Sequence, residues 1–500
     1  MDTSIVAASL HDIAIEFEVL ISANWVAVAY VVAECSCAGV FARMSDIIGR
    51  RSAFVAAHLL FLASSLGCGF SHNLTQLVIF RALQGLGGSG LFALTTVFIP
   101  EVCPDHLIEY ACGLGGIVVV LACITGPLVG GILTQYASWR WIFWINGPLC
   151  ATAMAFCLAF WPRRRDIIHV PRRPWKSFDF VGSTLLVAGT VLVVFSLQNV
   201  GVATGRVWDK AVFIAPLVVG MACWAALFVW AYMTDSRPCG HKVMSAFPLS
   251  LFRNRFYASG SLTTLLMGFP LFLLAFAIPL RAQVVSGKSS LDAATVLLPM
   301  LGALAMGCIM ATACNIKRNY LFETMLVGTL LSVMGCALLT TVSSPKHDNR
   351  LLGFITLVGL GLGLSISSST GLAAIEIAPQ DYASAQGILA QARLLGGSLG
   401  ISVSSIYWHN QISRLVHGPV PPQVAALLSQ EGHVLVSSQL RLVVEQASSR
   451  AFRDSMVMSA VVSGAAVLTA LIGFHCEHQD TRQKRKDLVR AHISPLTHSP

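Results

Sequence analysis

The chain has 500 residues, of which 55% are hydrophobic and 11% charged, with a mean hydropathy of +0.71 and a formal charge of +9. A typical soluble domain carries about 25% charged residues, so this composition excludes a soluble globular protein. The apolar residues come in runs of about 20, the length that crosses a hydrocarbon core of about 30 Å; runs such as LTTLLMGFPLFLLAFAIPL lack the dyad alternation of a barrel strand, which leaves helices as the spanning element.

The chain opens on a short apolar segment, Met1 to about Phe17, which is expected to be the second half of a spanning helix whose first half is missing. Full apolar runs follow at 24–42, 52–71, 76–98, 111–134, 140–161, 179–200, 211–233, 257–280, 291–313, 320–342, 351–374, 383–409 and 456–475. Basic residues gather in alternate loops: Arg43, Arg50 and Arg51, then Arg163 to Arg165, then Lys242, Arg253 and Arg255, and finally Lys484 to Lys486 in the tail. Lysine and arginine favour the cytoplasmic side of a membrane, so these loops and the C-terminus are expected there. The same bias accounts for the net charge of +9 without nucleic acid. Most of the 14 cysteines, Cys35 and Cys308 among them, sit inside apolar runs and read as small core residues rather than a metal or disulfide set.

The basic, proline-rich segment 162–177 divides the chain. The expected organisation is an N-terminal bundle over 1–161, a cytoplasmic linker over 162–177, two inserted helices over 178–233 and a loop over 234–255. A C-terminal bundle over 256–476 and a basic tail over 477–500 complete it. Such layouts suit transporters built from repeated bundles. Internal repetition is faint: GILAQARLLGG and RALQGLGGSG share an arginine and small residues. The stretch 410–455 is expected to carry an amphipathic surface helix outside the spans.

Three groups of residues carry chemistry. The loop ARMSDIIGRRSAF (42–54) places Asp46 near a helix end, Gly49 at a tight turn, and Arg50 and Arg51 where they can pair with acids of neighbouring helices. It reads either as a conformational latch or as a topology-setting basic loop. Glu101, at the end of the 76–98 run, is a candidate partner for Arg50, or a solvated helix end. Arg81 lies a turn or two inside an apolar span, where charge is expensive and functional by default. It can tune a nearby carboxylate or form a fixed ion pair. Asp2 and Glu34 are the candidate carboxylates, and Glu34 lies about 18 Å along its helix from Asp46, near mid-membrane. Asn73 begins a glycosylation sequon in an expected outside loop. No GxxxxGK[ST] loop is present, which argues against an ATP-driven pump, and no set of paired acids or clustered His and Cys marks an enzyme, a metal or a cofactor.

The 42–54 loop resembles the loop motif of the major facilitator superfamily. LVIFRALQGLGGSG (77–90) is similar to its fourth-helix motif through Arg81, Gln84 and Gly85. TGPLVGG (125–131) resembles the fifth-helix antiporter motif through Gly126, Pro127, Gly130 and Gly131. WRWIFWINGP (139–148) and DTSIVAASLHDI (from Asp2) resemble signatures of the fourteen-span drug:proton antiporter family, and ARLLGGSLG fits the C-terminal bundle through Arg393, Gly396, Gly397 and Gly400. Ala42 and His11 depart from that pattern, standing where glycine and proline are usual. The resemblance implies an all-α fold of two six-helix bundles plus two inserted helices, closest to fungal exporters of toxins and secondary metabolites. It places Asp2 mid-helix. The implied function is proton-coupled efflux of a small hydrophobic or amphiphilic organic compound by a monomer, expected in the plasma membrane or else a vacuolar or vesicle membrane. Its partners are the substrate, protons and the bilayer. The alternatives are an uptake symporter, for instance for an iron chelate or amino acid, and an inactive truncated transporter.

Overall fold

A computed structural model of the chain describes residues 2–7, 9, 13, 16–17, 24–102, 114–115, 118, 121–122, 125–126, 129–134, 136–161, 174–202, 210–235, 245–288, 290–315, 319–342, 348–378, 381–415 and 438–474. Its elements are helices: α1 (Asp2–Ala7), α2 (Asn24–Ile48), α3 (Arg50–Gly69), α4 (Leu74–Val102), α5 (Trp141–Ala159), α6 (Phe180–Val202), α7 (Ala211–Asp235), α8 (Arg255–Val284), α9 (Leu298–Asn315), α10 (Leu321–Leu339), α11 (Asp348–Glu376), α12 (Tyr382–Leu415) and α13 (Ser438–Ile472). Among the described residues, eleven helices are long and apolar enough to cross a membrane. The chain is a multi-pass membrane protein.

Two expected runs stand outside those eleven. The run 111–134 is helical at every position described within it. The run 383–409 falls within α12, whose 34 residues reach about 50 Å; Gln386, Gln391, Arg393 and several serines make it more polar than the others.

Helix ends differ from the hydropathy reading in two places. The 291–313 run is broken into Ser290–Thr295 and α9, with Pro299 at the second position of α9, where a missing N–H costs nothing. At the other end of the half, no separate surface helix occupies 438–455. Those residues form the first half of α13, because Val444, Ala447, Ala451 and Phe452 recur at helical spacing and are buried, while Arg450 and Arg453 face outward. Residues 416–437 lie outside the described residues.

Each half is organised around one long helix. In the first, α4 lies between α2 and α3; in the second, α11 lies between α9 and α10. Helices in lipid gain little from burying apolar surface and associate through close packing of small residues. The sequence supplies these at the seams. Gly85 of α4 seats on the Tyr30 carbonyl of α2, and Gly359 and Gly363 of α11 seat on the Met300 and Leu304 carbonyls of α9.

The halves meet along α12. Ala390 of α12 packs with Ala38 of α2 and Ala93 of α4. Val97 packs with Ala374, Tyr382 and Ala383 nearer the end that carries the 42–54 turn. The inserted helix α6 covers this seam, touching both α2 and α12. Its Thr190 hydroxyl accepts from Gln391 Nε2 at 3.3 Å, and Val194 packs on Val28, Val32 and Cys35. By contrast, α7 packs on α6 and has only 17% of its spanning window buried against 61% for α8, so it is peripheral.

Candidate functional site

The turn between α2 and α3 forms a closed ionic cluster. Gly49 has φ 91° and ψ 146°, a left-handed backbone that glycine alone adopts at little cost, and this lets α3 double back at once. Arg50 is thereby aimed at two acids. Its Nη1 lies 2.7 Å from Asp46 Oδ1, its Nη2 2.8 Å from Glu101 Oε1, and its Nε donates to Glu101 Oε2 at 3.0 Å. Ser45 Oγ also accepts from Arg50. Asp46 and Glu101 are buried, so these charge-assisted bonds are shielded from competing water. The cluster ties the end of α2, the start of α3 and the end of α4. Arg51, placed by sequence in the same motif, is exposed and outside the cluster.

The second site lies deeper in the same half. Arg81 of α4 is fully buried. Its Nη1 pairs with Asp2 Oδ2 at 2.6 Å and donates to Gln84 Oε1 at 2.8 Å, and its Nε donates to the Val26 carbonyl at 3.1 Å. The guanidinium carbon lies 4.2 Å from the centroid of the Tyr30 ring, a cation–π contact. Asp2 is held in turn by Asn146 Nδ2, which donates to Oδ1 at 2.8 Å and to Ser65 Oγ at 3.0 Å. Ser65 also accepts from Gln84 Nε2 at 3.1 Å. Five helices, α1 to α5, therefore converge on one buried charge pair. Lone charge in a bilayer is costly; pairing and hydrogen bonding through Nη1 and Nε make this one tolerable, while Nη2 has no hydrogen-bond partner among the described residues.

Glu34, the other candidate carboxylate, is half-buried one helical turn from Tyr30 on α2. It makes no ion pair among the described residues and lies within electrostatic reach of Asp2 and Arg81. The sequence suggested Glu34 or Asp2 as partner for Arg81; Asp2 occupies the place.

The glycine motifs serve close approach. Gly130 lies where a Cβ would come 2.6 Å from the Ile5 carbonyl of α1. Gly126 is helical and buried, Gly131 has open space beside it, and Pro127 lies outside the described residues. On α12, Gly396 and Gly400 face the Leu265 and Phe269 carbonyls of α8, and Gly397 faces the Phe272 ring. Arg393 Nη2 donates to Thr370 Oγ1 at 3.1 Å. The structural counterparts of the two halves thus differ from the sequence pairing of RALQGLGGSG with GILAQARLLGG. Gly396 and Gly400 of α12 press on carbonyls of α8 as Gly130 of TGPLVGG presses on the Ile5 carbonyl of α1, while α4 corresponds to α11.

Three residues central to this geometry were missed in the sequence. Ser65 is a single polar residue in an apolar run, and its signal was only that isolation; Asn146 lies within WRWIFWINGP (139–148) but was given no role of its own. Asp179 precedes α6 and is buried. It accepts from Gly182 N at 2.7 Å, Trp230 Nε1 at 2.9 Å and Ala246 N at 2.9 Å, joining the inserted pair to the segment before α8. Asn73, the sequon residue, is exposed at the opposite end from the ionic turn, where its Oδ1 accepts from Gln76 N at 2.8 Å.

The family model described as Major Facilitator Superfamily matches residues 1–401. The chain is 28% identical over 487 residues to the MFS-type transporter FPY5 of Fusarium mangiferae, covering 94% of this chain and 80% of that one. It is 27% identical to the efflux pump dotC of Dothistroma septosporum (85% and 73% covered) and 26% identical to multidrug resistance protein 3 of Bacillus subtilis (81% and 75%). Among solved structures, its fold is similar to that of the POT family transporter PepTSo, with TM-score 0.57, 14% identity and 95% and 97% of the chains covered. It is also similar to the proton:xylose symporter XylE, with TM-score 0.56, 14% identity and 98% and 95% covered.

Proposed function

The chain belongs to the major facilitator superfamily, a family of membrane transporters of small molecules rather than enzymes, and on that premise we propose that it exports a small hydrophobic or amphiphilic organic compound in exchange for protons. The observation that carries the proposal is the buried pair of Arg81 with Asp2, 2.6 Å apart and contacted by residues of five helices. Protonating Asp2 removes its charge and weakens its hold on Arg81. The bonds through Asn146, Ser65 and Gln84 then redistribute, so the packing of α1 against α2, α3 and α5 depends on the proton. Curated relatives named as an efflux pump and a multidrug resistance protein favour export.

In this reading the turn end is cytoplasmic, as its arginines suggest. The Asp46–Arg50–Glu101 cluster keeps the ends of α2 and α4 together. Those same helices present Ala38, Ala93 and Val97 to the other half. The cluster therefore shapes the surface on which the cytoplasmic side closes, and the described arrangement is the one closed on that side. Opening separates Val97 from Ala374, Tyr382 and Ala383 and exposes the space between halves to the cytoplasm. We further propose a fourteen-span monomer in the plasma membrane.

The test uses purified protein in liposomes with an imposed pH gradient and a panel of fluorescent amphiphiles. Gradient-driven movement towards the acidic compartment, lost in Asp2→Asn and Arg81→Ala, is the expected result. Movement indifferent to the gradient, or unchanged in both variants, would refute proton exchange, and movement with the proton would mark an uptake symporter.

A further inference from the structure

Two arginines within spans, fully buried Arg81 and half-buried Arg393, are treated differently by the two halves. Arg81 has a carboxylate partner at 2.6 Å. Arg393, on α12, has none: no carboxylate among the described residues lies within ion-pair distance of it. A guanidinium carries five N–H donors, and among the described residues the hydrogen bond Arg393 makes is from Nη2 to Thr370 Oγ1. Its Nε is buried without a partner.

Its position rules out escape to water at either surface. Arg393 lies eleven residues into α12 from Tyr382, about 16 Å along the helix, which is near the middle of a hydrocarbon core of about 30 Å. It lies three residues beyond Ala390, on the same helix face, and just before Leu394 and Leu395, which pack against Val28, Val32 and Cys35 of α2. Glu34 lies four residues beyond Ala38 on α2, likewise on the contact face. Arg393 and Glu34 therefore both lie just beyond the three-alanine contact on the side away from the ionic turn, one in each half.

The arginine is also held in place. Its backbone carbonyl is pressed against Gly268 of α8. The Thr370 hydroxyl that receives Nη2 is itself fixed by donating to the Ile366 carbonyl at 2.8 Å. A cation at this depth, held in place yet with a buried Nε that has no partner among the described residues, is a site awaiting an acceptor.

We infer that Arg393 is the anchor for a negatively charged group on the substrate, so that the transported compound is an organic anion, a carboxylate or an acidic enol on an apolar body. This inference rests on the transporter reading. On this inference the apolar body lies against Phe92 and the alanines of the neighbouring contact between halves, and the anionic group supplies the charge that Arg393 lacks. The planar fork of the guanidinium suits the two oxygens of a carboxylate.

The test measures binding rather than transport, so it stands apart from the question of export. The full chain is placed in nanodiscs of neutral phosphatidylcholine, with empty nanodiscs as the partition control. Two probes share one apolar body and differ in the head: 1-pyrenebutyrate and 1-pyrenebutanol. The butyrate is expected to bind about ten- to a hundredfold more tightly, the factor that a hydrogen bond to a charged group supports. Arg393→Gln is expected to bring the ratio near one while keeping the affinity for the alcohol, and Arg393→Lys to retain part of the preference. A parent ratio near one overturns the inference, with no variant needed. So does a preference that survives unchanged in Arg393→Gln. Anion binding without gradient-driven export would instead count against the proposed function and leave this site standing.

Discussion

The pair of Asp2 with Arg81 makes a quantitative demand on stability. Arg81 is fully buried and its Nη1 lies 2.6 Å from Asp2 Oδ2. Asp2→Ala leaves the guanidinium with Gln84 and the Val26 carbonyl but no opposite charge, and removing one partner of a buried pair costs about 3–5 kcal/mol. Asp2→Asn keeps the shape and an acceptor while losing the charge. Its cost is expected nearer 1.5–3 kcal/mol, the worth of a hydrogen bond to a charged group. Asp2→Leu combined with Arg81→Met removes both charges together. The double variant is therefore expected to be less destabilised than the sum of the singles by about 1–3 kcal/mol. Unfolding measured by steric trapping in bicelles, at fixed lipid composition, gives all the values needed for the cycle. If Asp2→Ala unfolds within about 0.5 kcal/mol of the parent, or the two single effects simply add, the residues are not coupled and the proton-sensing reading loses its basis.

The neighbouring arginines of the turn should behave unlike each other. Arg50→Ala deprives buried Glu101 of its partner and leaves Asp46 only Arg43, 3.9 Å away, and is expected to raise labelling of a cysteine placed at Ala383 from the cytoplasmic side, whereas exposed Arg51→Ala should leave labelling unchanged. A glycine pair gives a second contrast. Gly396→Ala drives a methyl group into the Leu265 carbonyl and should reduce the folded yield several-fold on size-exclusion chromatography. Gly131→Ala meets nothing within 4 Å and should be neutral or stabilising by up to about 1 kcal/mol. Asp179→Ala removes the acceptor of three bonds; hydrogen exchange at the Gly182 and Ala246 amides is expected to quicken, and unchanged protection there would show that the inserted pair is held by other contacts.

Hydropathy made the helices legible because lipid imposes one physical rule on every span. It misplaced the start of α13 because charge was averaged over the helix: Arg450 and Arg453 made 438–455 look non-membranous, although the buried stripe through Val444, Ala447 and Ala451 continues into the span. The ionic turn was legible since Asp46, Gly49 and Arg50 are close in sequence, and only Glu101 had to be brought from afar. Asn146 and Ser65 were not, because their role exists only once α1, α3 and α5 converge. Arg393 was visible as a charge within a span, but that it lacks a counter-charge is a fact about three-dimensional neighbours.

The distribution of packing also says where the molecule can move. Within each half the seams are glycine against carbonyl: Gly85 on Tyr30, Gly130 on Ile5, Gly359 and Gly363 on α9, Gly396 and Gly400 on α8. Such contacts interlock backbones and admit no small displacement without a clash. Between the halves the contacts at the turn end are three alanine side chains, the small patch around Val97, and a close approach of Gly387 on α12 to Gly39 and Ala42 on α2. Apolar burial is worth about 25 cal/mol per Å², so parting these methyl groups costs little beside breaking any one half. A pivot across this surface leaves both charge sites intact within their own halves, Arg81 with Asp2 in one and Arg393 in the other. Rigid-body rocking is therefore the motion that this packing permits, and the ionic turn, which lies within one half, can act on it only by altering the shape of that half.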